Sequence, residues 1–121
     1  TFTKDVYMFG VARNYMDSVT YLTNINCVRR VVFDKQTGFV DGLNLYTRQI
    51  ENFLASQEHI GYLCTTFYAS TRKKAEKMYV KIRKKCEKRN FTRIEPLGDF
   101  EFKFVSPENI YRNVLTPSEE E

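Results

Sequence analysis

The chain has no tryptophan, one histidine, three cysteines, three prolines and five glycines in 121 residues. Each scarcity excludes something. His59 has no cysteine at ligand spacing, which argues against a zinc site, and no metal or other cofactor is expected. Cys27, Cys64 and Cys86 are odd in number and far apart. They make no disulfide framework and suit a reducing compartment. Few glycines imply short loops, and there is neither a Gly-x-Ser-x-Gly elbow nor a Gly-rich phosphate loop. No apolar run is long enough to span a bilayer. The first residues do not read as a basic segment followed by an apolar one. A protein of the cytoplasm, without a membrane, is therefore expected. There is no internal repeat.

What is present is an ordinary globular balance, 42% hydrophobic and 28% charged, with eight tyrosines and ten phenylalanines. That excludes intrinsic disorder and allows one core. The expectation is a single α+β domain over residues 1–115, followed by a flexible acidic tail at 116–121.

Charge is unevenly placed. Residues 72–93 hold eleven of the nineteen Lys and Arg residues and only two acids, Glu76 and Glu87. That stretch nets +9 and the remainder −5. A concentrated basic element attracts polyanions where the same charge spread evenly would not.

Lys4–Ala12 is apolar and β-branched or aromatic, and reads as a buried strand. Asn14 and Asp17 resemble a capping pair for a helix from Tyr15 to about Asn24, although alternation through Val19, Tyr21, Thr23 and Ile25 suits a strand equally. Cys27–Phe33 is a strand. Asp34 to Gly38 makes a hairpin loop, with Asp34 opening the turn and Gly38 at a positive φ. Phe39–Tyr46 reads as the returning strand, and Thr47 as the cap of a helix to about Gln57 that buries Ile50, Phe53 and Leu54. Ile60–Tyr68 is rich in β formers. Ser70 or Thr71 then caps a helix whose apolar residues Ala75, Met78, Tyr79, Ile82 and Cys86 form one stripe. Asn90 is its stop. Thr92–Glu95 and Phe100–Val105 read as strands, the latter with Phe100, Phe102 and Phe104 on one face. Ser106-Pro107-Glu108 opens a last helix docked by Ile110, Val114 and Leu115.

The order β-α-β-β-α-β predicts a ferredoxin-like split βαβ unit over the first 68 residues. The expected architecture is a mostly antiparallel sheet, helices on one face and an added basic amphipathic helix, or else that helix is itself one of the sheet's crossover helices. The strand Val6-Tyr7-Met8-Phe9-Gly10-Val11 resembles the first short motif of the RNA-recognition-motif family. The loop Asp34 to Gly38 and the following Gly42-Leu43-Asn44-Leu45-Tyr46 fall where that family's second motif stands. The chain has Asp41, Leu43 and Leu45 where a basic residue and exposed aromatics belong, so the resemblance covers at most residues 4–68 and does not carry base stacking across. Tyr7 is the one aromatic it leaves to stack; alternatively Tyr7 or Phe9 is core.

The buried stripe turns the lysines of the basic helix outward. Arg72, Lys73, Lys74, Lys77, Lys81, Lys84, Lys85 and Lys88, with Arg93 at the far end, are the expected nucleic-acid contacts. Arg72 to Lys74 occupy the first turn, where bare N–H groups add to positive potential. The bland alternative is a solvated helix face. A nuclear import signal through Arg72-Lys73-Lys74 and Arg83-Lys84-Lys85 is disfavoured because such signals are read extended. Asp99, Glu101 and Lys103 suggest a Mg²⁺-dependent nuclease, against which stands the frequency of Glu-x-Lys by chance. Arg29 and Arg30, adjacent on a strand, must have one member exposed or paired. The expected function is a small non-enzymatic protein that binds DNA or RNA through phosphates. The alternatives are a regulator or inhibitor of an acidic-surfaced protein, with Glu119–Glu121 screening the helix in one variant, and the nuclease.

Overall fold

The computed structural model describes residues 2–14, 16, 18–88 and 93–110. Five strands form one mixed sheet: β1 (Phe2–Arg13), β2 (Val19–Thr23), β3 (Asn26–Phe33), β4 (Leu63–Ala69) and β5 (Arg93–Leu97). Helix α1 (Leu43–Ser56) joins β3 to β4, and α2 (Arg72–Glu87) joins β4 to β5. Residues 107–110 form a helical turn.

β1 is the central strand. Its Tyr7–Arg13 half pairs antiparallel with β4. On the opposite edge Phe2–Met8 pairs with β3 and Val11–Arg13 with β2. β2 and β3 thus follow one another along one edge of β1. Three steps along β1 from Val11 to Met8 face four steps from Leu22 to Asn26, the mark of a bulge. Gly10 N–H donates to Thr23 Oγ1 there at 2.8 Å. β5 joins the far side of β2 as the one parallel pair. The sheet is therefore mostly antiparallel, as expected.

A second irregularity lies between Lys4 and Val6. Arg30 takes φ 58° and its N–H donates to Asp5 Oδ1 at 3.0 Å. The break in alternation leaves both Arg29 and Arg30 exposed, with Arg29 3.9 Å from the Asp5 carboxylate.

The two helices lie on opposite faces of the sheet, which corrects the expectation of helices on one face. Val6, Met8 and Ala12 pack with Tyr46, Ile50 and Leu54 of α1. Phe9 and Val11 point the other way and pack with the stripe of α2. A strand covered on both faces has no polar side to show, and the Val6–Ala12 part of β1 is a continuous apolar run for that reason. Gly10 lets α1 approach: a methyl group there would collide with Ile50 Cδ1.

The split βαβ order is corrected as well. Three strands precede the first helix, and residues 19–23 are strand, not helix. Of that expected helix, Tyr15 and Asp17 lie outside the described residues. The Asp34–Gly38 turn forms as expected: Gly38 has φ 76°, and the Asp34 carboxylate accepts from Gln36 N–H at 2.8 Å. The returning strand does not. Pairing ends with a single bridge between Phe33 and Val40 and a bond from Asp41 N–H to Val32 O at 2.8 Å. Gly42, at φ 71°, then starts α1 without a side-chain cap. Thr47 is inside the helix, its hydroxyl 2.8 Å from that of Thr66. The resemblance to RNA-recognition motifs fails at the same place, since Leu43 and Leu45 are helical and Phe9 is fully buried.

Residues 101–106 belong to no helix or strand, and among the described residues they pair with no strand. Side-chain amides hold them instead. Asn26 accepts from Phe102 N–H at 3.0 Å and donates to Phe102 O at 3.2 Å. Gln49 does the same for Lys103, both bonds at 2.8 Å. Tyr46 hydroxyl accepts from Val105 N–H at 3.1 Å. Burial pushes the Tyr46 phenol above its ordinary value, against the opposing effect of that bond. Phe100, Phe102 and Val105 are buried by this strap, whereas Phe104 faces solvent, because the alternation breaks after Lys103. Ser106 caps the turn that follows, accepting from Asn109 N–H at 3.3 Å, and Ile110 is buried as expected. Val114 and Leu115 lie outside the described residues. Asn26→Ala strands two part-buried backbone groups and is expected to cost about 2 kcal/mol. Gln49→Ala, whose bonds are exposed, is expected to cost about 0.5 kcal/mol. Urea unfolding of the two variants checks the order.

Candidate nucleic-acid interface

The basic helix is positioned by its ends and its underside. Thr71 is extended, and its hydroxyl accepts from Lys74 N–H at 3.2 Å, which is the cap expected from the sequence. Ala75, Met78, Tyr79, Ile82 and Cys86 turn toward the sheet. There Phe9 stacks on Phe67 at 5.3 Å between ring centres and meets the edge of Tyr79 at 5.4 Å. Leu22, Ile25 and Ile94 complete the seat. This packing fixes the rotation of α2 about its axis.

At about 100° per residue, Lys73, Lys77, Lys84 and Lys88 stand opposite the buried stripe, and Lys74, Lys81 and Lys85 take one shoulder. All seven are exposed, and among the described residues none forms an ion pair. They cover about 120° of the helix surface over about 22 Å of length. The other shoulder is different in kind. Arg83 Nε lies 3.3 Å from Glu87 Oε2, and the Tyr79 hydroxyl and Glu87 both hold it in its charged form. Glu76 and the half-exposed Val80 share that shoulder.

Two of the expected contacts stand apart from the arc. Arg72 lies on the arginine–glutamate side, its guanidinium carbon 5.1 Å from the centre of the Tyr7 ring. Arg93 is in β5, with Nε 2.7 Å from Glu95 Oε2, so a carboxylate already neutralises it. Arg89, Asn90 and the acidic residues Glu119–Glu121 lie outside the described residues.

The arc has an electrostatic cost. Lys73 and Lys77, Lys77 and Lys81, Lys81 and Lys85, and Lys84 and Lys88 are like charges four residues apart. Each such pair destabilises a helix by about 0.2–0.5 kcal/mol. Lys73 and Lys74 also oppose the helix dipole at its N-terminus. The apolar stripe holds the helix against these terms, and a polyanion would relieve them.

Of the other sequence candidates, Asp99, Glu101 and Lys103 line one depression. Asp99 is in the turn after β5, and Glu101 lies 3.8 Å from Lys103 Nζ. Both acids are exposed beside that shallow depression, which Gln49, Asn52 and Phe53 complete. No group of three metal-ligating side chains occurs among the described residues. His59 sits between two tyrosines, with Nε2 3.5 Å from the Tyr21 hydroxyl and its ring 6.1 Å from that of Tyr62. Burial, reinforced by the Glu51 carboxylate, pushes the Cys64 thiol up to about 11. It stays protonated at neutral pH and is no nucleophile. Cys86 is buried and Cys27 exposed. One fast thiol per chain, Cys27, is therefore expected in a timed reaction with a thiol reagent at pH 8, and Cys27→Ser should abolish the fast phase.

No helix among the described residues is long and apolar enough to cross a membrane. In comparisons with known proteins, no family model, curated protein or solved structure matches the chain. Residue chemistry alone therefore bears on function.

Proposed function

We propose that this protein binds nucleic acid, DNA or RNA, through the lysine arc of α2, without catalysing a reaction on it. The observation that carries the reading is the seven exposed lysines on one side of a helix whose other side is buried, with no carboxylate partner among the described residues. Lysine is a point charge rather than a planar fork. An arc that among the described residues has no free arginine and no exposed aromatic supports contact with phosphates, not bases. Binding is then weakly dependent on sequence.

Salt titration tests it. On duplex DNA each neutralised phosphate contributes a slope of about −0.9 in log K against log salt. Four to six contacts predict a loss of roughly 10²- to 10³-fold between about 50 and 200 mM. Fluorescence anisotropy with labelled duplexes of two unrelated sequences should give this fall for both. No binding at the lower salt, or affinity indifferent to salt, would remove the proposal. An acidic protein surface suits the same arc. A partner retained from lysate after nuclease digestion, with no binding to purified nucleic acid, would favour that alternative.

A further inference from the structure

Three strands lie outermost in the sheet, β3, β4 and β5, and two of them are closed. The outer side of β3 is met by the Phe33–Val40 bridge, by Asp41 N–H on Val32 O and by the Asn26 clamp on Phe102. β5 carries Pro96, which has no N–H to offer, and the Arg93–Glu95 ion pair. These are the devices by which sheets avoid joining other chains. β4 has none of them. Its seven residues, Leu63–Ala69, include no charge and no proline. Among the described residues no backbone group pairs with it on the side away from β1. Leu63 is 60% exposed, and Ile60, just before the strand, is 77% exposed.

We propose that β4 is the edge through which two copies of this chain pair, antiparallel and about a two-fold axis. A partner with its own charge pattern would meet nothing complementary on β4, whereas an uncharged strand meets its own copy without repulsion. The helix above the edge supports the same occupant. The Thr47–Thr66 contact, and the Glu51 carboxylate acting on Cys64, place α1 antiparallel along β4. Arg48 and Glu51 of α1 are both exposed. A two-fold copy lays its α1 antiparallel beside this one, which brings Arg48 of one copy toward Glu51 of the other. The axis stands perpendicular to the sheet, so the two α2 helices share one face of a continuous sheet. The inference does not rest on nucleic-acid binding, although a dimer would double the basic surface.

Sedimentation velocity on nuclease-treated protein, in a micromolar dilution series at high salt, is the test. A monomer–dimer equilibrium that persists in salt is expected, because the strand carries no charge. Thr65 is exposed, and Thr65→Lys should shift the protein to monomer with an unchanged circular dichroism spectrum; Leu63→Lys is the second variant. A monomer throughout the series, or a dimer that both variants leave intact, overturns the proposal. So does a monomer whose β4 amides are already protected from hydrogen exchange, since another segment of the chain would then hold the edge.

Discussion

Charge reversal at Lys77, Lys81 and Lys84, as Lys77→Glu/Lys81→Glu/Lys84→Glu, is expected to lower affinity for nucleic acid at least about a hundredfold at low salt. The three side chains lie at the middle of the arc and are exposed. Their reversal removes three phosphate contacts and adds repulsion. The salt slope should become shallower by about 2.7, the share of three contacts, leaving roughly −0.9 to −2.7. Folding should not suffer, because the like-charge pairs of Lys77 with Lys73, Lys81 with Lys85 and Lys84 with Lys88 become attractive ones. The control is a triple reversal elsewhere, Lys4→Glu/Lys35→Glu/Lys103→Glu, at exposed sites away from α2. It changes net charge equally. If both triples weaken binding to the same extent, net charge and not the arc is responsible, and the proposed site is wrong.

That site was largely legible in the chain itself. An apolar stripe at helical spacing fixes which side of α2 is buried, so the lysines could be assigned outward before any coordinates. Thr71 as cap and Gly38 as the left-handed turn residue are local signals of the same kind. Arg93 could have been set apart on the same grounds, because Glu95 two residues along a strand lies on the same side.

What was not legible depends on distant partners. α1 begins at Gly42, whose missing side chain gives no capping signal, and Leu43–Tyr46 alternates well enough to pass for a strand. The strap at residues 101–106 has strand-like alternation at Phe100 and Phe102, yet its partners are amides of Asn26 and Gln49, 76 and 54 residues away. The placement of helices on both faces did leave a trace. Val6, Met8, Phe9, Val11 and Ala12 are apolar on both sides of β1, which a sheet with one open face would not require. Gly10 within that run marks the close approach of α1.

The two-faced sheet leads to the second large effect. Phe9→Ala is expected to destabilise the fold by about 3–5 kcal/mol, a large share of the roughly 5–15 kcal/mol that holds a typical domain together. Phe9 is fully buried and bridges Phe67 of β4 to Tyr79 of α2. Removing its ring empties the seat of the basic helix. Met8→Ala, one residue earlier and equally buried, opens the α1 side instead and should cost about 2–5 kcal/mol. Similar total losses should therefore have opposite local signatures. In native-state hydrogen exchange, Phe9→Ala should release the α2 amides ahead of those of α1, and Met8→Ala the reverse. Where both variants remain folded, Phe9→Ala alone should weaken nucleic-acid binding, because the lysine arc keeps its geometry only while the helix keeps its seat. Equal loosening of both helices in both variants would mean that the two cores unfold as one unit and that α2 has no separate anchorage. Normal binding by Phe9→Ala despite a loosened α2 would show that the lysines act without a fixed helix orientation.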